Sequence, residues 1–100
     1  MRKIKPVHPG EILREEFLVP LGLSMNKLAL AIRVPATRIA DIVHEKRAIS
    51  SVTALRLARY FGTTPDFWMN LQARYDLDVA EDAAGETVKR EVQPLAELRA

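Results

Sequence analysis

The chain has 100 residues, enough for one domain with a single core and too few for two. Its 48% apolar and 6% aromatic content suits a small helical protein, and the absence of cysteine excludes disulfides, thiolate zinc sites and cysteine nucleophiles. The net charge of +2 is unevenly spread: residues 1–47 carry nine Lys/Arg against five Asp/Glu, and residues 81–100 carry three against five. A basic front half suits a partner that presents phosphates, and it is equally the mark of a solvated face. No apolar run approaches the roughly 18 residues that span a bilayer. The basic start, MRKIKPVHPGE, lacks the apolar stretch of a secretory signal, so the expected location is the cytoplasm.

Helix signals follow one another along the chain. Pro9 suits a first helical position and Glu11 its first turn, which predicts a first helix from about His8 to Val19 with Ile12, Leu13 and Phe17 inward. Pro20 and Gly22 end it. Ser24 is a good N-cap for a second helix, and Pro35 opens a third that runs to Val43 or His44. The segment EKRAIS is a loop, after which Ser50 or Ser51 caps a fourth helix that ends at Gly62. Thr64, Pro65 and Asp66 open a fifth, with Phe67, Leu71 and Tyr75 on one face. Five helices with short connections predict an all-α, compact domain.

After Leu77 the character changes. Asp76, Asp78, Glu81, Asp82 and Glu86 form an acidic run that Gly85 interrupts, which predicts a linker or a frayed helix end. The chain therefore divides into a domain over 1–78 and an extension over 79–100. In residues 86–100, Val88, Val92, Leu95 and Leu98 recur at helical spacing but Pro94 breaks the pattern. A short helix, a strand and a segment that orders only on binding all remain open.

Residues 24–43, SMNKLALAIRVPATRIADIV, read as two short helices joined by a tight turn. Leu28, Ala29 and Ile32 make one apolar stripe, Ile39 and Ile42 another, and Val34 sits in the bend. Ala29 is small where the helices cross. Ala36, Thr37, Arg38, Ala40 and Asp41 face outward, short enough for the backbone to approach a DNA groove. The plain alternative is an αα-hairpin whose stripes are only core. The turn departs from the usual pattern, because Arg33 stands where glycine normally takes the left-handed conformation.

Two longer phrases are more specific than this motif: HPGEILREEF at His8–Phe17 and TALRLARYFGTTPDFWMNLQARYDL at Thr53–Leu77. With them the chain resembles HigA-family antitoxins of the XRE, phage-repressor-like helix-turn-helix superfamily, over roughly residues 7–77. The resemblance implies a five-helix fold and membership of a type II toxin–antitoxin module. Such an antitoxin silences a HigB toxin, a RelE-fold ribonuclease that cleaves messenger RNA. It also binds the double-stranded operator of its own operon as a homodimer and represses it. A stand-alone repressor of the same superfamily, with no toxin partner, is the alternative.

Operator binding assigns roles to particular residues. The first turn of the third helix places Ala36, Thr37 and Arg38 at base edges, with Ala40 and Asp41 one turn on. Arg38 can meet guanine O6 and N7, and Asp41 can accept from cytosine or orient a neighbouring arginine. Ser24, Asn26 and Lys27 suit phosphate at the start of the second helix, and His44, Lys46 and Arg47 suit the backbone beyond the third. Trp68 and Tyr75 are candidates for a dimer interface, whereas Phe67 and Leu71 are expected in the core. Toxin docking falls either to Glu81, Asp82, Glu86, Glu91 and Glu97 of the extension or to a folded face with Glu11, Arg14, Glu15, Arg56 and Arg59. No cofactor, metal or catalytic constellation is expected. His8 and His44 are isolated, and neither HExxH nor a glycine-rich phosphate loop is present.

Overall fold

The computed structural model describes residues 4–96, and among them every regular element is helical. Helix α1 begins at Pro9–Ile12, widens into a π-helical stretch over Leu13–Leu18 and closes with Val19–Leu21. Then come α2 (Met25–Ile32), α3 (Ala36–Val43), α4 (Ser51–Phe61) and α5 (Pro65–Glu91). Each N-cap but one uses a side-chain acceptor. His8 Nδ1 takes the Gly10 N–H at 2.9 Å, Ser24 the Lys27 N–H at 3.0 Å, Ser50 the Thr53 N–H at 3.3 Å and Thr64 the Phe67 N–H at 3.1 Å. The exception is α3, which starts behind Pro35 without a capping side chain.

Pro20 does not end α1, contrary to the sequence reading; the helix runs on to Leu21 and stops at Gly22, φ 60°. The π stretch explains this, because a widened turn leaves room for a ring that would otherwise strike the carbonyl four residues back. It also explains which residues are buried. Leu13 and Leu18, five apart, are both in the core. In a regular α-helix they would point roughly 140° apart, at 100° per residue. Ile12 and Phe17 are only half-buried.

The core joins all five helices: Leu13 and Leu18 of α1, Leu28, Ala29 and Ile32 of α2, Ile39, Ile42 and Val43 of α3, Ala54, Leu57 and Ala58 of α4, and Trp68 of α5. Val34 and Ile49 close it from the two loops. The α2–α3 stripes expected from sequence are therefore core, with Ala29 3% exposed at the crossing.

Three of the helix ends share a left-handed residue, after which the next N–H reaches back to a carbonyl of the last helical turn. Leu23 N–H donates to Leu18 O at 2.9 Å, Val34 N–H to Ala29 O at 3.0 Å and Lys46 N–H to Asp41 O at 2.8 Å. The left-handed residues are Gly22, Arg33 (φ 59°) and Glu45 (φ 64°). The glycine position of the turn is thus filled by Arg33 without re-forming the turn. Arg33→Gly is expected to raise unfolding stability by about 1 kcal/mol, the penalty of a Cβ in this region, which urea titration followed by circular dichroism measures.

The acidic run is not a linker. Helix α5 continues through Gly85 to Glu91, 27 residues or about 40 Å. From Val79 onward its side chains are exposed, and the molecule is drawn out to 54 × 26 × 21 Å. Ala, Glu, Lys and Arg dominate this stretch and favour helix without any packing, and Lys89 and Arg90 in the last turn complement the dipole. A single interior glycine costs only about 1 kcal/mol against that. Of the openings left for residues 86–100, helix holds to Glu91, and the chain turns extended at Val92 ahead of Pro94. Glu97 and Leu98 lie outside the described residues.

Candidate nucleic-acid interface

The first turn of α3 carries Ala36 and Thr37 fully at the surface, with Arg38, Ala40 and Asp41 half-buried behind them. Small side chains and an uncapped helix start let the backbone approach a partner closely. Of the positions proposed for phosphate, Asn26 lies beside this turn and Ser24 and His44 lie at the far end of α3. Asn26 and Ala36 border one shallow groove of about 420 Å³, which Leu30 and Pro35 also line. Ser24 and His44 border a second, of about 530 Å³, between α1, α2 and the end of α3. Asn26, Lys27, Lys46 and Arg47 are exposed. The Arg47 Nε lies 3.9 Å from Asp41 Oδ2, an exposed ion pair between α3 and the neighbouring loop.

Three residues outside the motif position this region, two of them against α3 and one against the loop beyond it, and sequence reasoning gave none of them this role. Gly10 sits directly against the carbonyl oxygen of Ile42, which lets α1 press on α3. Arg14 Nη1 donates to the Val43 carbonyl at 3.0 Å, covering the C-terminus of α3, while its Nε bonds Glu15. Gln72, 5% exposed on α5, accepts the Ile49 N–H at 2.8 Å and donates to Asp76 Oδ1 at 3.0 Å. One signal was available for Gly10: a glycine in the first turn of a helix is a poor choice unless something leans on it.

His8 is a structural residue. It is 3% exposed, caps α1 and meets the edge of Tyr75 with ring centroids 4.7 Å apart. Burial pushes its pKa below the ordinary histidine value, opposed by the carboxylates of Glu45 and Asp76. The neutral ring keeps Nδ1 free to accept from Gly10.

Trp68 is not an interface residue. It is 0% exposed, its ring packs on Phe17 and Phe67 at centroid distances of 5.1 and 5.0 Å, and its indole N–H donates to Thr63 Oγ1 at 2.8 Å. The side chain expected in the core, Phe67, is instead 37% exposed. The helix is rotated by one residue from the sequence reading because Trp68 and Gln72, not Phe67 and Leu71, share the innermost line. Tyr75 is half-buried, against the ring of His8.

On the folded face considered for toxin docking, Arg14 is engaged as described and Arg56 Nη1 donates to the Ile32 carbonyl at 3.0 Å, closing α2. Arg56 and Arg59 also line an open groove of about 410 Å³ with Arg33, Leu55 and Tyr60.

The helix-turn-helix family matches residues 13–68. Virulence-associated protein I of Dichelobacter nodosus is 56% identical over 75 residues, covering 75% of this chain and 69% of that protein. Antitoxin HigA-1 of Vibrio cholerae is 38% identical over 79 residues, covering 77% and 74%. Among solved structures, the Pseudomonas aeruginosa antitoxin HigA with the higBA promoter is 50% identical with a TM-score of 0.88, over 90% of this chain and 98% of its own. A half-buried, uncapped α3 on this framework, together with these likenesses, places the chain in the helix-turn-helix family and, within it, among the HigA antitoxins.

Proposed function

We propose that the protein is the antitoxin of a type II toxin–antitoxin module that represses its own operon through α3 and neutralises a HigB-type, RelE-fold toxin in the cytoplasm. The observation that carries this reading is the likeness, at 50% identity and a TM-score of 0.88, to an antitoxin whose structure contains its promoter. The α3 surface supports it. Thr37 reaches a base or a thymine methyl, and Arg38 reaches guanine from the first turn of a helix that fits the major groove. Ser24, Asn26 and Lys27 on one side, with His44, Lys46 and Arg47 on the other, supply the phosphate contacts that fix its register.

One such surface covers a half-site, so operator binding calls for two copies with their α3 helices about one DNA turn, roughly 34 Å, apart. Exposed apolar residues of α5 and beyond, Phe67, Leu77, Val88 and Leu95, offer the surface for pairing. The extension, with Glu81, Asp82, Glu86 and Glu91, suits a basic RNA-cleaving partner.

Binding of the full chain to the DNA upstream of its own operon tests the first half. Arg38→Ala is expected to weaken operator binding by about 1–3 kcal/mol, roughly 5- to 150-fold, and to relax preference at one base pair. An equal, small loss on operator and on unrelated DNA would contradict base reading by Arg38. Co-expression with the adjacent upstream gene tests the second half. A stable complex that relieves growth arrest supports the antitoxin. Operator binding without toxin capture identifies a stand-alone repressor.

A further inference from the structure

We propose that Gln72 of α5 is the positioning residue for the phosphate-facing loop after α3. The inference rests on the proposed function, in which Lys46 and Arg47 meet phosphate.

Besides Gln72, the loop is restrained by its own turn and by the exposed Arg47–Asp41 pair at 3.9 Å. It leaves α3 through Glu45 in the left-handed region, tied by Lys46 N–H to Asp41 O at 2.8 Å. Lys46, Arg47 and Ala48 are then exposed, without a core side chain among them. The chain re-enters the core at Ile49, 2% exposed, and there its N–H meets Gln72 Oε1 at 2.8 Å. Both ends of the exposed bend are therefore fixed through their backbone N–H groups, one donating to a carbonyl of α3, the other to a side chain of α5.

The amide of Gln72 is held in one orientation. Its Nε2 donates to Asp76 Oδ1 at 3.0 Å, an acceptor that only the nitrogen can serve, which leaves Oε1 pointing at Ile49. Asp76 lies one turn further along α5, and its charge also faces His8. A glutamine used at both ends, 5% exposed, is a clamp between two elements rather than a surface side chain.

The clamp lies on the same helix as the exposed extension. Trp68 anchors α5 in the core, Gln72 holds the loop one turn later, and from Val79 the helix carries no core residue. Loss of the Gln72–Ile49 bond frees the second end of the bend. Lys46 and Arg47 then lose the fixed position from which two phosphates are met.

The test uses the full chain and the DNA upstream of its own operon. Gln72→Met removes donor and acceptor while keeping length. Its dependence of log Kd on log salt is expected to fall toward that of the Lys46→Ala/Arg47→Ala variant, by about 0.9 for each phosphate no longer neutralised. Adding Lys46→Ala/Arg47→Ala to Gln72→Met is expected to weaken binding less than it does in the parent. The Ile49 amide should exchange faster while the Leu57 amide does not. Ile32→Val, which loosens the core without touching the loop, is the control and should keep the parental salt slope. A purely structural role would leave the slope of Gln72→Met unchanged and its effect additive with the loop variant, and that result overturns the proposal. If Lys46→Ala/Arg47→Ala itself leaves the slope unchanged, the phosphate reading of the loop fails and takes the proposal with it. The Arg38→Ala result would then still report on α3 alone.

Discussion

Trp68→Ala is expected to lower unfolding stability by about 3–5 kcal/mol, the usual range for emptying a buried tryptophan site. Small domains have about 5–15 kcal/mol in all, so the variant should lose a large share of its stability and melt well below the parent. The size follows from what surrounds the ring. Trp68 is completely buried, touches Phe17 of α1 and the neighbouring Phe67, and faces Phe61 of α4 at 6.3 Å. It therefore joins the first, fourth and fifth helices, and no single neighbour can swing in to fill its place. Trp68→Phe should lie between parent and alanine variant, because it keeps most of the apolar volume but leaves Thr63 Oγ1 without its donor. Urea titration followed by circular dichroism separates the three. An interface tryptophan would behave otherwise, with stability of the single chain untouched and self-association weakened.

Gly10→Ala is the second large effect, and its sign is the informative part. At an exposed helix position, glycine to alanine stabilises by about 0.5–1 kcal/mol. Here a methyl group would overlap the carbonyl oxygen of Ile42 and press on the carbonyl carbon behind it. That atom belongs to the backbone of α3, so no side-chain rotation relieves the clash. Either α1 lifts off α3 or the carbonyl tilts out of its helix. A loss of about 3 kcal/mol is expected, at the upper end of overpacked sites, again read by urea titration. Operator binding by the folded fraction should also weaken, since the displaced element is the one that carries Ala36, Thr37 and Arg38. Unchanged stability would mean that α1 and α3 are not in contact at this point.

Much of the fold was readable because its signals are local. Ser24 caps the helix it was expected to cap, Ser50 takes the cap left open between it and Ser51, Thr64 caps α5 within the expected start signal, and Gly22 and Gly62 end two helices in the left-handed conformation. The α2–α3 stripes are buried as the spacing required. The failures arise where long-range packing overrides the local signal. Pro20 reads as a stop, yet the π stretch before it depends on burying both Leu13 and Leu18 against the other helices. Phe67 and Trp68 are adjacent and equally apolar, so only the tertiary rotation of α5 decides which is inside. The acidic run lacks apolar periodicity, and its helix rests on propensity and on continuity with a packed segment upstream. The outward placement of Ala36 and Thr37 was legible, and so was Asp41 as a partner for an arginine. Gln72 was not, because nothing in a sequence links a glutamine to the amide of a residue 23 positions earlier.

The acidic stretch of α5 has a consequence for the encounter with DNA. Among the described residues, 4–47 carry seven basic side chains against five acidic ones, while Asp76, Asp78, Glu81, Asp82 and Glu86 cluster along a helix of about 40 Å, ahead of Lys89 and Arg90 in its last turn. Charge of opposite sign is thus separated over tens of ångströms, and the chain has an electric dipole. In the field of a polyanion the acidic arm is repelled and trails, and the basic body leads. The collision is oriented before any contact forms, and the fraction of productive collisions falls as added salt screens the field.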